Sequence, residues 1–192
     1  MSSLPARRPL RLPGYDYALP GAYFVTVCLA PAAAPLAARA GNGLRPTARG
    51  AHVRATWRGL SAHYGHVTLD AFAVMPDHVH GIVWLHAAPS GDGRAAGPLA
   101  AGHAGLRRPA VGAGLRPARA VPTPPPTAGL PEVIRAFKSF SARAINIDGG
   151  TPGAPVWQRN YFEHIIRTER ALHRIREYIR DNPARWVARR SC

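Results

Sequence analysis

Residues 67–86 read VTLDAFAVMPDHVHGIVWLH, and the way this stretch divides decides the fold. Residues 67–75 are β-branched, aromatic and aliphatic, the composition of a half-buried strand. Pro76-Asp77 breaks the run, and residues 78–86 resume it, so the whole predicts a β-hairpin. On a strand, side chains at i and i+2 share a face. His78 and His80 therefore stand on one face, about 7 Å apart along the strand, and Val79 points the other way into a core. Gly81 follows directly and leaves room for something to approach the backbone closely.

Working outward, residues 23–30 (YFVTVCLA) predict a buried strand. Residues 31–50 are rich in Ala, Pro and Gly and predict a loop. Val53, Trp57 and Leu60 recur at helical spacing within residues 52–63. Downstream, Pro131-Glu132 suits a helix start, with Val133, Ile134, Phe137 and Phe140 forming the apolar side through about Asn146. Residues 156–166 predict a turn and a strand. Residues 169–181 predict a last helix, stopped by Asn182-Pro183 because proline cannot continue one. The order β, α, β, β, α, β, α is that of a ferredoxin-like (βαββαβ) α+β core with an added C-terminal helix.

One domain is expected over residues 1–192, with two appendages. Residues 1–20 form a basic, proline-punctuated arm. Residues 87–129 are mostly Ala, Gly, Pro and Arg, hold no aromatic residue and predict a long disordered insertion. A GLRP-type string occurs at 42–49, 104–110 and 113–120, which points to spread of a short DNA element into the gene rather than to a folded repeat. Cys28 and Cys192 are the only cysteines, so no disulfide framework is expected. No apolar run is long enough to span a bilayer, and the first residues lack a signal-peptide pattern. A cytoplasmic, nucleoid-associated protein with no membrane partner is the expectation.

Charge points to a partner. Lys plus Arg number 25 and Asp plus Glu 10, a net charge of +15 with a pI near 11.4. That excess is the footprint of a nucleic-acid binder, although Lys138 is the only lysine and part of the arginine bias is compositional. Candidate backbone-holding groups are Arg7, Arg8 and Arg11 in the arm, Arg135, Lys138 and Arg143 on the helix after the insertion, and Arg159 and Arg167 around the last strand. Tyr15 and Tyr17 either stack on unpaired bases or pin the arm to the core.

Two patterns carry chemistry. His78-Val79-His80 either lines a polar sheet face or converges on a cation. Tyr178 and Asn182 lie at i and i+4, hence on one helix face; either the tyrosine packs and the asparagine caps, or a phenol and an amide oxygen are presented together. Taken jointly, two imidazoles and an amide oxygen suit Mg²⁺ or Mn²⁺ with open positions for water and a phosphate oxygen. Tyrosine is a nucleophile able to form a covalent intermediate. Tyr161 is a competing tyrosine, with a core or stacking role favoured, and Glu163 and His164 make structural hydrogen bonds or assist proton movement.

The chain resembles the REP-associated tyrosine transposases, bacterial relatives of the single-tyrosine HUH transposases. The resemblance runs through RLPGYDYALPGAYFVTV at 11–27, AVMPDHVHGIVWL at 73–85, EVIRAFKSFSARAIN at 132–146 and VWQRNYFEHIIRTERALHRIREYIRDNPARW at 156–186. It implies that His78 and His80 are HUH metal ligands, that Asn182 stands at the third ligand position and that Tyr178 is the nucleophile. It also implies a 5′-phosphotyrosine intermediate, and a substrate of single-stranded DNA folded as a palindromic hairpin. Relatives act as dimers or monomers, so either state is expected here. A catalytically silent, domesticated hairpin-binding protein is the alternative. The connection at 87–129 is longer than the resemblance leads one to expect.

Overall fold

A computed structural model describes residues 12, 14–87 and 128–189. The sheet has four antiparallel strands: β1 (Gly21–Cys28), β4 (Val67–Val74), β5 (His78–Leu85) and β6 (Phe162–Ile166). They lie in the order β4-β5-β1-β6. Between β1 and β4 come a small antiparallel hairpin, β2 (Ala37–Ala40) and β3 (Gly43–Pro46), and helix α1 (Ala48–His63). Helix α2 (Leu130–Asp148) precedes β6, and α3 (Glu169–Arg189) follows it. Setting the β2–β3 hairpin aside, the order is the βαββαβ core with the added C-terminal helix.

Alternation along the strands gives the sheet two apolar faces. Val25, Val27, Val79 and Val83 point to the side covered by α1 and α2, where they meet Trp57, Leu60, Val133 and Phe137. Ala22, Ile82 and Ile166 point the other way, onto Leu172 and Ile179 of α3. His80 lies on this second face, between the sheet and α3. The side chain that Gly81 admits is Trp57: a Cβ at Gly81 would sit 2.5 Å from the indole ring. The missing side chain serves core packing, on the face opposite the histidines. Trp57 stacks on Phe72 at 4.5 Å between ring centres.

Two expectations need correction. Residues 31–50 are not simply loop, because 37–40 and 43–46 pair as the small hairpin. Its turn is made by Gly41, whose φ of 58° is open to glycine without strain. The first GLRP copy is thus strand β3 itself, and Thr47 behind it caps α1 by accepting the Gly50 N–H; the copies at 104–110 and 113–120 lie outside the described residues. The turn and strand expected over 156–166 are found, with 156–161 irregular apart from a bridge from Trp157 to Leu29 and β6 following. Helix α3 does not stop at Asn182-Pro183 but runs to Arg189. Proline removes one hydrogen bond, while Val187 beyond it is buried and the Asp181–Arg185 ion pair at 3.6 Å spans it. Burial past the break outweighs the lost bond.

Tyr15 and Tyr17 secure the segment before β1. The Tyr17 ring is buried and its hydroxyl accepts the Leu12 N–H, and the Tyr15 hydroxyl lies 3.2 Å from that of Tyr23. Most of the insertion and residues 1–11 fall outside the described residues. Among the described residues no helix is long and apolar enough to cross a membrane.

Candidate active site

The hairpin of β4 and β5 brings His78 to the start of β5 and His80 one pleat further on, on the same face. Their Nε2 atoms are 3.0 Å apart. Each ring is held from behind. Asp77 accepts from Nδ1 of His78 at 2.7 Å, and Thr26 of β1 meets Nδ1 of His80 at 2.8 Å. The second contact follows from register, since Thr26 and His80 are direct cross-strand partners. With both Nδ1 atoms engaged, both Nε2 atoms face the space between the rings. His80 is only 4% exposed. Burial, with His78 beside it, pushes its pKa down to about 4 against a smaller opposing pull from Asp77. The ring is therefore neutral near pH 7, with a lone pair to give.

Tyr178 comes from α3. Its hydroxyl is 3.4 Å from Nε2 of His80. Phe24 fixes both groups, stacked on His80 at 5.4 Å and edge-on to Tyr178 at 6.1 Å. Asn182 is one helical turn beyond Tyr178. Trp186, one turn further, lines a cavity with His78. Asn182 thus lies on the stretch of α3 whose two ends meet His80 and the surroundings of His78.

The donor set fits a small divalent cation. Two ligands about 2.1 Å from one ion at a right angle are ~3.0 Å apart, which is the observed Nε2 separation. Imidazole ligands held by a carboxylate or hydroxyl at the other nitrogen are the usual arrangement at metal centres. Among the described residues no group of three His, Cys, Asp or Glu comes together, so a third ligand drawn from them would be an amide or a carbonyl.

The basic candidates separate. Arg135 and Arg143 are exposed on α2, across the sheet from the histidines, and Arg135 pairs with Glu132. Lys138 donates to the carbonyls of Gln158 and Arg159 at 2.6 and 2.8 Å, so its ammonium holds a loop; burial lowers its pKa. Arg159 and Arg167 are exposed on either side of β6. Arg7, Arg8 and Arg11 lie outside the described residues. Tyr161 is buried in the α1–α2 side core. Glu163 pairs in register with Val25 on that same side, whereas His164 faces the α3 side opposite Phe24.

Sequence reading missed Thr26, Asp70 and Arg176. Asp70 sits at an irregularity in the β4–β5 pairing. It accepts two hydrogen bonds from Arg176 Nε at 3.1 Å, one from its terminal nitrogen at 2.6 Å and one from the Trp84 indole at 3.2 Å. This ties α3 to the sheet two residues before Tyr178. Thr26 was discoverable only through strand register, and nothing in sequence spacing links residues 70 and 176.

No family model matches the chain. An uncharacterised protein of Haemophilus influenzae is 29% identical over 184 residues, covering 94% of this chain and 89% of that protein. A REP-associated tyrosine transposase, solved bound to a REP hairpin, superposes with a TM-score of 0.52 at 19% identity over 89% of this chain and 72% of its own. A candidate transposase from Deinococcus radiodurans aligns at a TM-score of 0.44 and 16% identity, over 89% of this chain and 95% of its own, too distant to bear on the fold. The α+β sheet with its C-terminal helix is the fold of the REP-associated tyrosine transposases.

Proposed function

We propose that the chain is a metal-dependent DNA strand transferase of the HUH type. It would cleave and rejoin single-stranded DNA at palindromic, REP-like hairpins through a 5′-phosphotyrosine intermediate. One observation carries the reading: a tyrosine hydroxyl 3.4 Å from an imidazole Nε2 that is itself 3.0 Å from a second Nε2. The hairpin-bound solved structure of the same fold supports the choice of substrate.

His78, His80 and Asn182 would hold Mg²⁺ or Mn²⁺. A cation there supplies Lewis-acid polarisation of a phosphate oxygen. The chain's own groups do the rest. Asp77 and Thr26 hold the imidazoles in orientation, and Phe24 keeps the Tyr178 ring over His80. The Tyr178 oxygen forms a bond to phosphorus as the P–O3′ bond breaks. The phenolic proton is lost and the departing 3′ oxygen gains one, so the products are a 5′-phosphotyrosine and a free 3′-hydroxyl. The exchange trades one phosphodiester for another, which permits rejoining by the reverse attack. Tyr178 reaches His80 of its own chain, so one copy would carry both parts of the site.

The test is a covalent adduct. Hairpin DNA from palindromic repeats flanking the gene, labelled on the 3′ side, is incubated with protein and Mg²⁺ or Mn²⁺ and run on a denaturing gel. A metal-dependent adduct is expected that is absent in Tyr178→Phe and retained in Tyr161→Phe. Tight hairpin binding with no adduct across several repeats would instead identify a domesticated, catalytically silent binder.

A further inference from the structure

A cavity of about 480 Å³ opens beside His78. Its volume falls within the roughly 300–1,000 Å³ of small-ligand sites. Pro35, Pro76, Cys28, Gln158 and Trp186 are among its lining residues. Both walls are tied to the sheet by backbone hydrogen bonds. On one side Asp77 accepts from Leu29 and Pro76 from Leu36, at 2.8 and 2.9 Å. On the other, the Gln158 N–H donates to Cys28 at 2.9 Å, its side-chain amide donates to Leu29 at 3.0 Å, and Lys138 clamps the Gln158 and Arg159 carbonyls. The cavity is built before any ligand arrives.

Its chemistry selects the occupant. Among the described residues no Lys or Arg lines it, and the Asp77 carboxylate among its lining residues repels a phosphate. Apolar rings and methylenes, one indole and one carboxamide remain. That set suits a flat, uncharged heteroaromatic ring with polar edges. We propose that this cavity receives an unpaired nucleobase of the DNA strand, stacked on Trp186, next to the phosphate held at the histidines. Trp186 stands eight residues beyond Tyr178 on α3, about 12 Å along the axis, within reach of a base close to the scissile phosphate. The proposal rests on the strand-transferase reading for its substrate and adds how the strand is held in register.

The test uses hairpin DNA from the flanking repeats in a series with one abasic site moved along the single-stranded foot. Binding is read by fluorescence anisotropy with Tyr178→Phe protein, so that no cleavage intervenes. One abasic position is expected to weaken binding about tenfold, the effect of losing one base stack. The same position should cost little in Trp186→Ala, and its full cost should return in Trp186→Phe. A second measurement keeps the native indole: in Cys192→Ser protein, alkylation of Cys28 should slow several-fold with the intact hairpin and not with the abasic one at that position. If the hairpin binds and forms an adduct, but no abasic position couples to Trp186 and Cys28 alkylates at the free rate, the base pocket is wrong and the strand-transferase reading stands. If no hairpin binds at all, both fall.

Discussion

Thr26 and Asp77 do the same work for different histidines, each engaging an Nδ1 so that the Nε2 atoms face one another. Removing such a support costs about 10–100-fold in metal affinity or activity. Thr26→Val keeps the shape of the side chain, so adduct formation is expected to fall by that factor while thermal unfolding is little changed. An unaltered adduct yield would show that His80 needs no support. Gly81→Ala acts on the opposite face. The new methyl meets the Trp57 ring, and overpacking of this kind costs about 1–3 kcal/mol, to be read from denaturant unfolding. At this scale the histidines were legible because a strand's two-residue period places them on one face. Their supports were not, since Thr26 is a neighbour of His80 only once β1 and β5 are in register. Gly81 was read correctly as a point of close approach, but spacing does not say which partner approaches.

Helix α3 carries Tyr178, the proposed nucleophile, and the Asp70–Arg176 pair ties it to the sheet. Burial pushes the Asp70 carboxyl up, but hydrogen bonds from Arg176 and Trp84, with the Ala71 N–H, outweigh it and hold the pKa below its ordinary value. A depressed folded-state pKa contributes stability above the unfolded value of about 3.8, lost as pH falls through the folded one. Asp70→Asn should therefore lower the melting temperature near neutral pH, and the gap from the native protein should close below about pH 3.8. A gap that persists in acid would assign the effect to packing. The start of α3 was legible, whereas its end was not. Pro183 is a local signal for termination, and it was overridden by burial of Val187, which only the tertiary structure shows.

Charge is a property of the whole molecule. With a net +15, hairpin binding is expected to weaken steeply with salt. A log–log plot should show a slope of about −0.7 per phosphate contacted on single-stranded DNA. A flat plot would move the interaction away from the backbone. Composition made this charge legible without saying which arginines would meet a DNA strand, because sequence does not reveal that α2 lies across the sheet from the histidines.

The folded body also joins the two described edges, residues 87 and 128, that flank 88–127. The His66 carbonyl accepts the His86 N–H, and the His66 ring meets the Ala128 carbonyl, both at 2.8 Å. One residue, His66, thus contacts both edges of that junction. Replacing 88–127 by a short Gly/Ser linker should leave both the unfolding midpoint and adduct formation near those of the full chain; collapse of either would give the segment a structural role. His86 follows the far end of β5 from His78, about 24 Å along an eight-residue strand. The position behaves as a splice port. Foreign sequence entering the gene there meets a frame already shut behind it, remote from His78, so a new module added in one step leaves the proposed site in place.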